Sequence, residues 1–506
     1  MNLRLASRPL AAVLVACGIV STSPVHAVRV NPDSHGQVLI YPYYTARSTA
    51  DGRAFVTALS VTNITARPKA VRVRFFEGRA GAAVLDFNLF LAAYDVWTAG
   101  IVGAGAGAGL FSGDQSCTTP MVSRSSASPT KFRNGMYLFD PIGGDLDRTY
   151  EGYFEILEMG TVDPTSALAV AVTPVPNSTS PNASKPLCSG LPVTDAVPVE
   201  LSAPSGGLMG NASYINVNDG TDFSINAIAL SQWSDRVRWS GPGSIVPTTA
   251  DASPATSLII DSSDETDRVI ITRWSTGRDA ISALFMVDRL INDYSAERAI
   301  RAATDWVIAM PTKRFYLGSN GVALPFNGTS GMLGRYSERL SPLEIVDGAT
   351  PPDMLFDREA QDVFAEPFCG ICLGATPAFN GIAGAWTWLA ESPAGIGPSQ
   401  AMASTTGHTH LLRSGWINGW AQLKIPVDAA NRFHVLVAPS NSTTVLDTKS
   451  GAISANLNAT YFGLPLIGFA VQSYSTHGLP GINPNVLSNY GGQFSHKFTR
   501  RIGVAP

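Results

Sequence analysis

Val71-Arg72-Val73-Arg74-Phe75-Phe76 alternates with a period of two. In an extended strand successive side chains point to opposite faces. Val71, Val73 and Phe75 therefore share one face, and Arg72, Arg74 and Phe76 share the other. Upstream, Phe55 to Thr62 alternates and then meets Asn63, with Arg67-Pro68 as the turn. Downstream, Leu85, Phe87, Leu89 and Leu91 alternate again before Tyr94-Asp95-Val96-Trp97. Strands at this spacing, joined by short turns, predict a mainly β protein of tandem antiparallel β-sandwich modules, immunoglobulin-like, with one or two short helices.

Working outward, Gln37 to Thr45 is rich in Val, Ile and Tyr but carries Pro42, which places it at a sheet edge or a bulge. Tyr41, Tyr43 and Tyr44 then read as core packing or as an edge able to accept a partner strand. Gly103 to Gly109 alternates Gly and Ala without the Lys or Ser/Thr of a phosphate loop, and reads as a flexible loop. Tyr153 to Met159 is a further strand. Asp163 to Pro204 is rich in Pro, Ser and Ala, as expected of a linker or surface excursion. Asn218-Asp219-Gly220 between two apolar runs, Ala212 to Val217 and Phe223 to Leu230, predicts a hairpin. This pair loosely echoes the Leu59 to Phe75 pair, as a duplicated unit would. Leu284, Val287, Ile291 and Tyr294 fall at three- and four-residue spacing and predict a helix over Ala280 to Tyr294. Trp306 to Leu317 is strand-like despite Pro311, and more candidate strands fall near 383–390, 407–412, 417–425, 432–438, 464–474 and 491–499. The division this suggests is a leader at 1–27, a β-sandwich domain at 28–205 with its Pro/Ser-rich excursion, and a second β-rich region at 206–506 of one or two modules.

The leader carries Arg4 and Arg8, an apolar run from Leu10 to Val20, and Val25-His26-Ala27 as a small-residue cleavage site. That is the pattern of an export signal cut after Ala27. An alternative is Leu14-Val15-Ala16-Cys17, which has the shape of a lipoprotein processing site with a lipid on Cys17. The expected location is the periplasm, the outer-membrane surface or the extracellular space. No later apolar run is long enough to span a bilayer as a helix; the best, Tyr461 to Val471, is short and carries Pro465.

Composition agrees with this class. Hydrophobic residues are 45% of the 506, enough for substantial cores, while charged residues are only 15%. A net charge of −4 offers no basic field for nucleic acid, so nucleic acid is not an expected partner. Apart from Cys17, four cysteines remain, and proximity favours Cys117 with Cys188 and Cys369 with Cys372 as disulfides. Cys-Gly-Ile-Cys at 369–372 lacks the strand-before, helix-after setting of a thioredoxin pair, and no second Cys pair completes a zinc site.

Asn31-Pro32-Asp33 with Gly36-Gln37 and Tyr41-Pro42-Tyr43-Tyr44, then Thr304-Asp305-Trp306 with Pro311-Thr312-Lys313-Arg314-Phe315-Tyr316, and the closing Asn489-Tyr490-Gly491-Gly492 with Phe494, resemble signatures of a group of uncharacterised exported proteins of Gram-negative bacteria. The resemblance implies a bacterial secreted or envelope protein. It carries over no catalytic residue.

Several constellations bear on chemistry. His408-Thr409-His410 in a strand would put two imidazoles on one face as metal ligands, with Asp353, Asp357, Glu359 or His434 as a third; ordinary exposed or hydrogen-bonded histidines are the plainer reading. Asp353, Asp357, Glu359, Asp362 and Glu366 hold enough carboxylates for a glycosidase pair, or for an ion-paired surface segment with Arg358. Gly328-Thr329-Ser330-Gly331 lacks the spacing of a nucleophile elbow, and no phosphate loop, dinucleotide fingerprint or His-Glu-x-x-His appears. No catalytic residue and no cofactor are therefore assigned. Trp386 and Trp388 share one face of a strand, and Trp416 and Trp420 flank a Gly-rich turn; exposed indoles stack on sugars, buried ones fill cores. The leading expectation is a secreted or cell-envelope protein with a structural, adhesive or assembly role, its partner a protein or glycan at the cell surface. The alternatives are a glycan-binding module using those four tryptophans, and a secreted hydrolase or metalloenzyme centred on His408 and His410.

Overall fold

The computed structural model describes residues 26–48, 54–139, 143–175, 184–218, 220–262, 267–295, 302–318, 321–326, 339–340, 353–357, 379–382, 385–389, 401–402, 408–409, 418–425, 434–475 and 489–506. The chain is mainly β, in several sheets whose neighbouring strands run antiparallel with one exception, and the described residues include two α-helices.

The first sheet runs in the order Arg29–Val30, Ile228–Ser231, Val38–Thr45, Glu151–Val162, Lys69–Glu77, Ala83–Leu91, Cys117–Thr119, with Leu201–Ser202 beside Glu151–Val162. A second sheet runs Thr221–Asn226, Leu208–Asn216, Phe55–Asn63, Val96–Gly103, Ala108–Phe111, Thr130–Lys131. Val71, Val73 and Phe75 from the first sheet and Leu59, Val61, Trp97 and Ile101 from the second belong to one hydrophobic core, as the alternation predicts. Each large side chain placed there contributes roughly 1.5–3 kcal/mol by leaving water.

The other face of the first sheet is not solvated. Lys69–Glu77 and Glu151–Val162 are buried at every position. One end of this face is covered by the helix Gly277–Phe285 and a third sheet, which meet Val38, Ile40 and Leu157. The opposite end carries the short helix Ala167–Val172 with Trp239. The 163–204 stretch is thus not a free linker: Cys117 and Cys188 form a disulfide across 71 residues and hold it to the sheet. Cys369 and Cys372 lie outside the described residues.

Strand pairing continues across the expected 205/206 boundary. Leu208–Asn216 pairs along its whole length with Phe55–Asn63, and Ile228–Ile40 and Leu230–Val38 register the next strand in the first sheet. The expected hairpin forms, with Asn216 opposite Thr221, but its second strand ends at Asn226, and Ile228–Ser231 belongs to the first sheet. The Gly103–Gly109 run is not a slack loop but a tight turn between two paired strands, closed by the Ala104 N–H on the Gly107 carbonyl at 2.7 Å.

Pro42 sits at a bulge rather than at a sheet edge. The register against Glu151–Val162 slips between Gly152 and Phe154, opposite Pro42, where the missing N–H costs no ladder bond. Gly152 is required there, since a Cβ would lie 1.9 Å from the Phe76 carbonyl oxygen. Tyr41, Tyr43 and Tyr44 are fully buried, so they offer no edge to a partner strand. Tyr41 stacks on Phe154 at 4.1 Å, and the three hydroxyls donate to the Ser60 carbonyl, Glu151 and the Thr149 carbonyl.

The helix expected over Ala280 to Tyr294 is shorter. It spans Gly277–Phe285, capped by Thr276, and Arg289–Ser295 is a strand paired with Asn418–Lys424. Its buried positions include Leu290, Asn292 and Tyr294, a period of two that the polar Asn292 conceals. The strand expected from Trp306 to Leu317 ends before Pro311, as Ala303–Ala309, followed by a 3₁₀ turn at Lys313–Tyr316. Ala303–Ala309 lies between Ala385–Leu389 and Ile467–Ser475 in a seven-stranded sheet. That sheet joins the first core where Phe469 stacks on Tyr214, 5.7 Å between ring centroids.

Candidate functional site

The arginines that alternation turns away from the core meet protein, not water. Arg72 and Arg74 are 0% and 2% exposed beneath the loop at residues 241–247. Arg72 donates to the Asn88 side chain at 2.7 Å, to the Gly241 carbonyl at 2.9 Å and to the Ser244 carbonyl at 2.6 Å. Arg74 donates to the carbonyls of Ser244, Ile245 and Pro247. Asp86, opposite Arg74 on the neighbouring strand, pairs with both guanidinium groups. Burial pulls Arg74 down to about 10, so it remains charged at neutral pH. Farther along, Glu155 pairs with Arg314 at 2.9 Å and accepts from the Thr249 hydroxyl.

This network forms one wall of a groove of about 770 Å³. Its floor is the first half of the Ala83–Leu91 strand: all five residues from Ala83 to Phe87 line it. The Cys117–Thr119 strand pairs only with Asn88–Phe90, and the Arg133 N–H takes the Val84 carbonyl at 2.9 Å. The edge at Leu85–Phe87 therefore has no neighbouring strand among the described residues. Met121, Met136 and Ile245 stand on the rim, 79%, 66% and 74% exposed. Arg133 faces the groove from the opposite wall and makes no side-chain ion pair among the described residues. Arg314 completes the cationic side, its guanidinium 3.8 Å over the Phe76 ring. Asp86 is the one carboxylate in the lining, already committed to two arginines. Its described lining holds no nucleophile–base pair.

Of the candidate site residues named from sequence, those that are described do not line this groove. Trp386 and Trp388 are in the strand Ala385–Leu389, registered against Ile308 and Trp306. Trp420 is half-buried in Asn418–Lys424, with paired strands on both sides. His408 stands beside Trp388 in a parallel pairing. Trp416 and His410 fall outside the described residues. Among those described, no group of three or more His, Cys, Asp or Glu side chains is arranged to hold a metal. His434, offered as a third ligand, is buried, and burial lowers it to about 4. Asp353 and Asp357 belong to one strand, while Glu359, Asp362 and Glu366 fall outside the described residues.

The groove was not legible in sequence because it draws on four distant segments, 74–87, 120–136, 242–245 and 314–315. The only signal was the charge of Arg72 and Arg74, which alternation alone assigns to a solvated face. No helix among the described residues is long and apolar enough to cross a membrane. No family model, curated protein or solved structure matches the chain.

Proposed function

We propose that this chain is an exported protein of the cell envelope or extracellular space, built from immunoglobulin-like sandwich modules, with a structural, adhesive or assembly role. Its contact surface is the groove along Ala83–Phe87. One observation carries the reading: among the described residues a strand edge lies open between an apolar rim and a cationic wall, on a scaffold whose central strands Lys69–Glu77 and Glu151–Val162 are buried on both faces. Rigid sheets with a short accessible edge suit polypeptide or polymer contact better than turnover of a small molecule. The disulfide between Cys117 and Cys188 fits an oxidising compartment.

Fractionation of cells producing the full chain, with sequencing of its mature N-terminus, tests export. The expected result is protein outside the cytosol beginning at Val28; an uncleaved cytosolic chain overturns it. A p-benzoylphenylalanine cross-linker at Met136 tests the contact surface in intact cells. Adducts with an envelope or surface macromolecule are expected from Met136 and not from Tyr94, which is exposed outside the groove. No adduct from Met136 defeats the contact role.

A further inference from the structure

We propose that the groove takes an extended segment of a partner polypeptide in which acidic and apolar side chains alternate, laid against the Leu85–Phe87 edge. This rests on the contact role just proposed and names its partner. Three features of the groove converge on that chemistry. The free edge offers backbone groups to an incoming strand, and the Val84 carbonyl shows how such a bond is made: the Arg133 N–H already takes it. Met121, Met136 and Ile245 form an adaptable apolar rim on the groove. Charge is the third feature. The lining holds Arg74, Arg133 and Arg314; Asp86 pairs with Arg74 and Glu155 with Arg314, which leaves Arg133 as the uncompensated charge among the described residues, in a chain whose net charge is −4. Arg133 is exposed with no side-chain partner among the described residues, and the Arg314 Nε is buried without one.

An extended segment projects alternate side chains to opposite sides. With acidic residues toward Arg133, the intervening apolar residues turn toward Ile245 on the facing wall. A neutral apolar strand would leave Arg133 without a counter-charge, and a basic one would be repelled. An anionic glycan could satisfy the arginines but would leave the methionine rim and the strand edge unused.

Fluorescein-labelled octapeptides of alternating valine and aspartate, of alternating valine and lysine, and of four valines followed by four aspartates are titrated into the full-length protein by anisotropy. Oligogalacturonate serves as the glycan probe. The alternating acidic peptide is expected to bind, with salt-dependent affinity and slowed hydrogen exchange at residues 83–87. The lysine peptide and the block peptide should bind roughly tenfold or more weakly. Arg133→Glu should lose the acidic peptide and gain the lysine one; because Arg133 is exposed, the variant should keep its melting temperature, and the gain separates recognition from misfolding. Equal binding of the acidic and lysine peptides, binding without protection at 83–87, or preference for oligogalacturonate overturns the proposal. If peptides fail but Met136 still cross-links in cells, the contact role stands and the partner's chemistry is wrong. If both fail, both fall.

Discussion

Lys69 and Glu158 form an ion pair inside the protein, Nζ to Oε1 at 2.8 Å, with both side chains fully buried. The same carboxylate accepts from the Thr161 hydroxyl and from the backbone N–H groups of Ser205 and Gly206. Four residues at the strand ends and at the entry to Leu208–Asn216, Lys69, Thr161, Ser205 and Gly206, thus converge on one charge. A carboxylate so surrounded is satisfied, but its partner depends on it. Glu158→Leu should therefore destabilise the protein by about 3–5 kcal/mol, because an ammonium would be left buried without a counter-charge. The double variant Lys69→Met with Glu158→Leu should recover most of that loss. Denaturant titration of both variants checks it; equal destabilisation in the two would show that the backbone contacts, not the charge, carry the effect.

Asp86 plays the same part for Arg72 and Arg74, but from a site that keeps 23% of its side chain exposed. Asp86→Ala should cost about 2–4 kcal/mol, less than a fully buried pair because water screens part of the loss. The loop at 241–247 is held by five carbonyl bonds from these two arginines. Arg74→Leu removes three of them and should expose the Pro242–Ile245 segment to proteolysis. Mass spectrometry of limited digests would locate the new cut.

Joining Cys117 to Cys188 closes 71 residues of chain, and that constraint is felt mainly by the unfolded state. Replacing both with serine should lower stability by about 4 kcal/mol on a loop-entropy basis. Thermal melts with and without reductant should differ for the native chain and coincide for the double serine variant.

Two buried histidines make stability depend on pH in the acid range. Burial lowers His434 and His496 from 6.5 to about 4. His496 has Nε2 at 3.1 Å from the Val307 carbonyl and Nδ1 at 3.2 Å from the Asn292 amide nitrogen. Only a neutral ring, donating through Nε2 and accepting at Nδ1, satisfies both. The unfolded chain takes up protons near pH 6.5 while the folded one does not, so this stability is complete above that pH and declines as pH falls toward 4. The loss is of order 3 kcal/mol per residue. His496→Gln, which keeps a donor and an acceptor without titrating, should flatten the profile between pH 6.5 and 4 in chemical denaturation; an unchanged slope would rule His496 out as a source.

Much of the strand framework was readable because alternation is a local property. Val71 to Phe76, the 218–220 hairpin and the Leu85 to Leu91 run need only their own residues to declare a period of two. Arg289–Ser295 was misread because a buried Asn292 broke that period, while chance spacing of Leu284, Val287 and Ile291 imitated a helix. Pro42 was readable as a bulge or an edge, and only the slipped register against Gly152 chose between them.

The sequence by itself determined the class of the chain: pleated strands with one apolar side, and cysteines 117 and 188 suited to pairing. Tertiary structure alone decided what becomes of the second side of those strands. Alternation fixes that Arg72 and Arg74 point away from Val71 and Val73, but water and a covering loop are equally compatible with that direction. The loop comes from residues more than 160 positions away, and contacts across such distances leave no periodic trace in either segment. The groove beside Leu85–Phe87 exists for the same reason, as the place where that cover stops.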